Sequence, residues 1–325
     1  MANSDDDLLL RSGRLEVALS PEFGGGVTGI RDRPSGAQVL WRTPWADETP
    51  APPRGRPLDV DAWVRHSRGG WQVLLPNGGD DCGWHGVRHG FHGEATVIAW
   101  RVLRRSEASA TLAAALNAAP IDVERVVAVA GADVVMTERL RNRSAQPVDL
   151  MWTHHPGFGG DLLAGPVRVD TNARAVQLDD RAPVVGVAAV PGDVGRWPRV
   201  GAVDLRHPRD GSALLGYLSD FDGDPWVRLT RADGSLGVRL AWDAATFPRC
   251  WLWYELGGTT GSPWHGGVRV VGVEPSTSWP GQGLARVSAT TGATFRLAGH
   301  ATATSSVTLT VFAADDIASR PGESA

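Results

Sequence analysis

The sequence predicts an all-β fold: a large antiparallel sandwich or barrel with few short helices. Three observations carry that prediction. Apolar residues recur mostly with a period of two, not 3.6. The 40 glycines and 22 prolines punctuate the chain so often that long helices have little room. Neither an internal repeat nor a composition shift divides it, so residues 1–325 are expected to form one domain, with an ordered core at about 14–315.

Taken in order, the segment RLEVALS (14–20) alternates Leu15, Val17 and Leu19 with polar or small residues. Paired glycines follow, then GVTGI and, at 39–41, VLW. Residues 44–70 are rich in proline and arginine and read as a long ordered loop, because strand patterning resumes on both sides. ATVIAWRVL (95–103), SATLAAAL (109–116), LGVRLAW (236–242), VRVVGVE (268–274) and TSSVTLTVFA (304–313) all read as strands. Turn signals at Gly131-Ala132, Ala232-Asp233-Gly234 and Thr291-Gly292 separate such runs. About 17 candidate strands emerge, with no helix longer than two turns. Residues 176–210 read as irregular, and the polar tail after Asp316 as frayed.

Composition excludes several function classes. Net charge is -4, which argues against a nucleic-acid partner. All 32 cationic residues are arginine, so lysine nucleophiles and Schiff-base chemistry are excluded. Cys82 and Cys250 are too few for a disulfide framework or a structural zinc site, and read as reduced core thiols. The acidic start MANSDDDLLLR does not read as a signal peptide, and no apolar run approaches the ~20 residues that span a bilayer. The expectation is a soluble cytoplasmic protein with no membrane partner.

Three motif matches fail on context. Gly24 to Gly29 fits G-x-G-x-x-G, but Pro34 follows closely and no helix is there to receive a pyrophosphate. Asp220-Phe221-Asp222-Gly223-Asp224 resembles the start of a calcium loop, but Pro225 and Arg231 stand where glycine and glutamate are needed. It reads as a solvated turn or an irregular cation site. His85, His89 and His92 have metal-like spacing, but interleaved glycines preclude the helix that would converge them. No metal ligand set is assigned.

Chemistry-bearing residues gather in three stretches. The first runs from Trp71 to Asp81, with Asn77 and Asp80, and on through Arg88, His89 and Phe91-His92-Gly93-Glu94. The second is Met151-Trp152-Thr153-His154-His155-Pro156-Gly157-Phe158-Gly159. The third is Gly272-Val273-Glu274-Pro275-Ser276-Thr277-Ser278-Trp279-Pro280. Each follows or ends an apolar run, as reactive groups at the mouth of a sandwich would. One carboxylate with two histidines can supply a base, an acid and an orienting donor. Each taken alone also fits a solvated glutamate or a satisfied core histidine. No serine lies in a G-x-S-x-G elbow, which weakens a hydrolase assignment.

In the order W-x-x-L-x-P-N-x-G-D, F-H-G-E, H-H-P-x-F-G and G-V-E-P-S-T, these stretches resemble the aldose 1-epimerase (galactose mutarotase-like) family, as does the opening hairpin. The resemblance covers roughly residues 14–315. It implies a galactose mutarotase-like β-supersandwich with an open cleft and an acid–base reaction that needs no cofactor. It implies Glu274 as base, His155 as acid with His154 in the position of the family's asparagine, and His92 as a hydrogen-bonding partner of the sugar. For sugar binding it suggests Asn77, either Arg68 or Arg88, and either Asp80 or Asp243. Trp152 and Trp279 are candidate stacking residues, with Trp71, Trp84, Trp253 and Trp264 also near the motifs. The implied activity is anomer interconversion of an aldose, and the implied partner a monosaccharide or sugar derivative, acted on by a monomer or homodimer. A non-catalytic carbohydrate-binding protein, or another sugar isomerase or a lyase, would share the fold. No second carboxylate pairs with Glu274 as a glycosidase requires.

Overall fold

A computed structural model describes residues 7–45 and 56–313. The extreme N-terminus, the middle of the 44–70 segment and the tail after Asp316 lie outside the described residues, as do residues 314–315 of the expected core. Within the described residues lie 24 strands, more than sequence periodicity resolves, because two- and three-residue strands leave no periodic trace. Twelve form one sheet, in the order Leu8–Arg11, Leu15–Ser20, Gly26–Asp32, Trp71–Leu74, Thr153–Phe158, Arg269–Ser276, Arg249–Leu256, Ala213–Phe221, Ala173–Leu178, Val194–Arg196, Arg199–Val200 and Val203–Asp204. Eight form the second, in the order Val167–Thr171, Trp226–Arg231, Gly237–Trp242, Thr302–Phe312, Asp133–Asn142, Ile121–Ala130, Ser109–Ala115 and Arg101–Arg105. The pairings within both sheets are antiparallel.

Alternation decides which side chains fill the space between the sheets. Val123, Val127 and Val129 of one strand meet Val134, Met136 and Leu140 of the next, and Val307, Leu309 and Val311 continue the layer. Trp71, Val73, Phe158, Leu252, Tyr254, Val271 and Val273 close it from the larger sheet. One polar cluster is buried within this core. Glu138 and Arg125 are fully buried and paired at 2.7 Å, and the Arg125 guanidinium also donates to the carbonyls of Gly24 and Gly25. The indole N–H of Trp152 donates to the other oxygen of Glu138 at 2.7 Å. A buried ion pair is tolerable when most of its remaining donors and acceptors are matched this way; here the Arg125 Nη2 makes only its close approach to Glu138.

Three expectations change. The run 95–103 is a strand only in its last part, Arg101–Arg105. Its first part is a short 3₁₀ turn, Glu94–Thr96, tied down because the Glu94 carboxylate accepts from the backbone of Asn117 and Ala118. The 44–70 segment contains helix α1 (Val60–His66), started by Asp59, whose carboxylate accepts from the Ala62 N–H. The irregular stretch 176–210 contributes three very short strands to one edge of the larger sheet. A second two-turn helix, α2 (Leu284–Thr290), packs Leu284 and Val287 against Leu74, Met151, Tyr217 and Trp251 on the outer face of that sheet. Among the described residues, no helix is long and apolar enough to cross a membrane.

Candidate active site

Strand register builds the site. Gln72 pairs with His155 across one strand boundary. The pairs Thr153–Ser276 and Gly157–Gly272 set the next boundary, so His155 stands across from Glu274. Glu274 pairs with Trp251, and Trp251 with Tyr217. Gln72, His155, Glu274, Trp251 and Tyr217 thus form one row across five neighbouring strands, all on the face turned away from the core. Side chains so placed have Cβ atoms about 4.5–5.5 Å apart. The imidazole Nε2 of His155 lies 3.6 Å from a Glu274 carboxylate oxygen.

A cavity of about 500 Å³ opens over this row. Glu274 is nearly inaccessible, with 3% of its side chain exposed, and His155 keeps 15%. The next row explains how a carboxylate fits there. Gly157 and Gly272 face each other, and a Cβ on Gly272 would lie 2.5 Å from the Glu274 carboxylate. The missing side chain is the space that the carboxylate occupies.

His92 enters from the loop that follows the Cys82–Trp84/Val87–His89 hairpin. Its backbone is left-handed, with φ at 59°, and its Nδ1 accepts from the Gly79 N–H at 3.1 Å. A neutral His92 therefore carries its proton on Nε2, as a donor. Its ring lies 4.9 Å from that of His155 and 4.5 Å from that of Trp63.

Burial sets the charges. It pushes the Glu274 carboxyl well above the ordinary range and pulls His155 down to about 4. It holds His92 well below the ordinary histidine value, with His155 adding to the effect. Both members of the Glu274–His155 pair are thus driven toward their uncharged forms.

One end of the cavity is polar. Asp80 lies there, its carboxyl raised by burial and by Asp179, with Arg181 acting in the opposite sense. The Asp179 carboxylate accepts from Tyr217, from the Gln282 amide and from the backbone of Arg181 and Ala182. The other end is aromatic and is made of Trp253, Trp264, Trp41 and Trp45.

The structure brings Glu274, His155, His92 and Asp80 together around this cavity. It places the other expected residues elsewhere. His154 alternates with His155 and so faces the core, accepting from the Trp71 indole at 3.2 Å. Trp152 is fully buried against Glu138. Asn77 is a buried strut: its amide donates to the carbonyls of Asp80 and Gly90, and its oxygen accepts from the Leu284 N–H. Arg88 sits on the exposed hairpin beside Asp81. Arg68 stacks on Phe23, and Asp243 closes its own turn through Ala245 and Thr246. Trp279 packs on Tyr217 under the Arg249 guanidinium and is not part of the cavity wall.

Sequence reasoning missed Gln72, Trp63, Asp179, Arg181 and Gln282. Gln72 was legible in principle, since it alternates with the core residues Trp71 and Val73. Asp179 and Arg181 fall in the stretch that lacked periodicity, which left no signal.

Comparison with known proteins follows the same lines. Residues 74–311 match the family described as "Domain of unknown function (DUF4432)". No curated protein is similar enough to match the chain. Among solved structures, the Slr1438 protein from Synechocystis sp. PCC 6803 superposes with a TM-score of 0.70 at 18% identity, over 94% of this chain and 96% of that one. A galactose mutarotase related enzyme from Lactobacillus acidophilus gives 0.65 at 14% identity, over 95% and 98%. A galactose mutarotase-like protein from Clostridium acetobutylicum gives 0.64 at 15% identity, over 94% and 95%. The fold is galactose mutarotase-like.

Proposed function

This chain belongs to the DUF4432 family, and on that premise we propose that it is a carbohydrate epimerase that interconverts the anomers of an aldose by acid–base ring opening. The observation that carries this reading is the buried Glu274–His155 pair, 3.6 Å apart at the floor of a cavity. A binding module has no need of a carboxylate and an imidazole held side by side in a desolvated site.

In the working form, Glu274 is a carboxylate and His155 an imidazolium. Glu274 takes the proton of the anomeric hydroxyl while His155 gives its proton to the ring oxygen. The C1–ring-oxygen bond breaks and the open-chain aldehyde forms. Rotation about C1–C2 presents the other carbonyl face. Closure reverses both transfers: Glu274 gives its proton to the carbonyl oxygen, which becomes the new anomeric hydroxyl, and His155 takes back the proton of the attacking ring hydroxyl. After ring opening the pair is an uncharged carboxylic acid and a neutral imidazole, the forms that burial favours. Desolvation therefore pulls in the direction of the first proton transfers, and the polar hydroxyls of a bound sugar stabilise the charged pair beforehand. His92 donates from Nε2 to a sugar oxygen and fixes the ring.

The test is proton NMR of anomeric signals at a pH where spontaneous exchange is slow. Freshly dissolved α-anomers of glucose, galactose, mannose, xylose, rhamnose and glucuronate are followed with the wild type and Glu274→Gln. Faster equilibration of any of them, lost in the variant, is the expected outcome. Equal rates with and without protein across the panel would overturn the reading for simple aldoses.

A further inference from the structure

The cavity is larger and more aromatic than one sugar ring requires. Its volume of about 500 Å³ falls within the ~300–1,000 Å³ of sites that enclose drug-sized ligands. The acid–base pair sits in its middle. On one side lie Asp80 and Arg181, which can grip hydroxyls, with Asp179 already engaged behind them by Tyr217 and Gln282. On the other, a line of indoles leads away from the pair. The Trp253 ring is 6.3 Å from that of His155, Trp264 is 5.9 Å from Trp253, and Trp41 is 6.1 Å from Trp264 at an interplanar angle of 13°.

These three indoles are half-buried, so each keeps accessible ring surface. Trp41 is also firmly seated. A Cβ on Gly159 would lie 2.7 Å from the Trp41 Cβ, and a Cβ on Gly69 would lie 2.5 Å from the Trp41 carbonyl oxygen. Trp41 reaches its place because those two positions lack side chains. Trp45 buttresses the far side, edge-on to both Trp41 and Trp264. The apolar C–H face of a pyranose is a natural partner for such surfaces, whereas a single ring held at Glu274 and His155 leaves most of them uncovered.

We propose that Trp253, Trp264 and Trp41 form a second subsite that takes the next pyranose of a reducing disaccharide, whose reducing ring lies over Glu274 and His155. The proposal rests on the anomer-exchange reading of that pair. It makes the preferred substrate a reducing disaccharide or longer oligosaccharide rather than a free monosaccharide.

The experiment compares maltose, cellobiose and lactose with glucose, by NMR for anomeric exchange and by calorimetry for binding. Wild type, Trp264→Ala and Trp264→Phe are used. At least one disaccharide is expected to exceed glucose in kcat/KM. The ratio of the two is expected to fall about tenfold in Trp264→Ala and to recover in part in Trp264→Phe. If glucose is exchanged as well as every disaccharide, and the ratio does not move in Trp264→Ala, the subsite is refuted while the acid–base reading stands. If no sugar is exchanged, the binding arm decides. Tighter disaccharide than glucose binding that depends on Trp264 supports the subsite and removes the chemistry, and no such preference overturns both.

Discussion

Replacing Gly272 with alanine is the sharpest test of how the site is built. The new methyl carbon would lie 2.5 Å from the Glu274 carboxylate oxygen, where ordinary contact begins at 3.4 Å. It would also meet the Trp253 Cβ at 3.2 Å, so it has no free direction in which to lean. The carboxylate must move by about 1 Å, and it must do so beside His155. A misplacement of about 1 Å costs on the order of 100-fold in rate, or about 2.7 kcal/mol of barrier. Stability is expected to change little, because a strand gains about 0.5–1 kcal/mol when alanine replaces glycine, which offsets part of the local strain. The assay is kcat for anomeric exchange by NMR, alongside the urea midpoint. A Gly272→Ala protein within threefold of wild-type kcat would refute the argument that glycine makes room for the base.

Three further outcomes are expected. Activity needs one proton on the Glu274–His155 pair: it falls below pH about 4, where His155 also protonates, and again on the alkaline side above the raised value of Glu274, giving a broad bell in kcat. Stability behaves differently. His154 and His155, both held at about 4, stay neutral in the folded protein while the unfolded chain protonates below about 6.5. The contribution of each histidine is therefore complete above pH 6.5 and declines toward pH 4, by about 3 kcal/mol, while the raised Glu274 carboxyl acts in the opposite sense above the ordinary carboxylate range; His154→Gln should shallow the acid-side slope of urea midpoint against pH. Glu138→Ala leaves the Arg125 charge buried and unpaired and should cost about 3–5 kcal/mol in chemical denaturation, whereas replacing both residues with methionine should recover much of that loss.

Much of this architecture was legible because period two reports directly on which side of a sheet a residue faces. The alternation of Leu236, Val238, Leu240 and Trp242, and of Val307, Leu309 and Val311, matches the buried rows. His155 and Glu274 were placed by resemblance, and their meeting depends on a register between strands more than 110 positions apart in sequence. The errors share a cause. His154, Trp152 and Asn77 stand in the right motifs, but motif proximity does not say which face a side chain takes, and each turns to the interior or to a buried strut. Helix α1 was missed because its signal is a single capping Asp59 within a proline- and arginine-rich stretch. Asp179 holds the backbone of Arg181 through a local turn, but Gln282 reaches it across 103 positions, which no local pattern announces.

The row Gln72–His155–Glu274–Trp251–Tyr217 is held by ladder hydrogen bonds in the middle of a twelve-stranded sheet, while Asp80, Asp179 and Trp264 come from connecting segments. The two halves of the cavity thus belong to parts of the molecule with different rigidity. Amides around residues 155 and 274 are expected to be among the slowest to exchange, opening only on global unfolding. Heat should therefore remove the acid–base pair and the fold in a single transition. Insertions and substitutions in the surrounding segments, by contrast, can retune which sugar is held without moving the base relative to the acid.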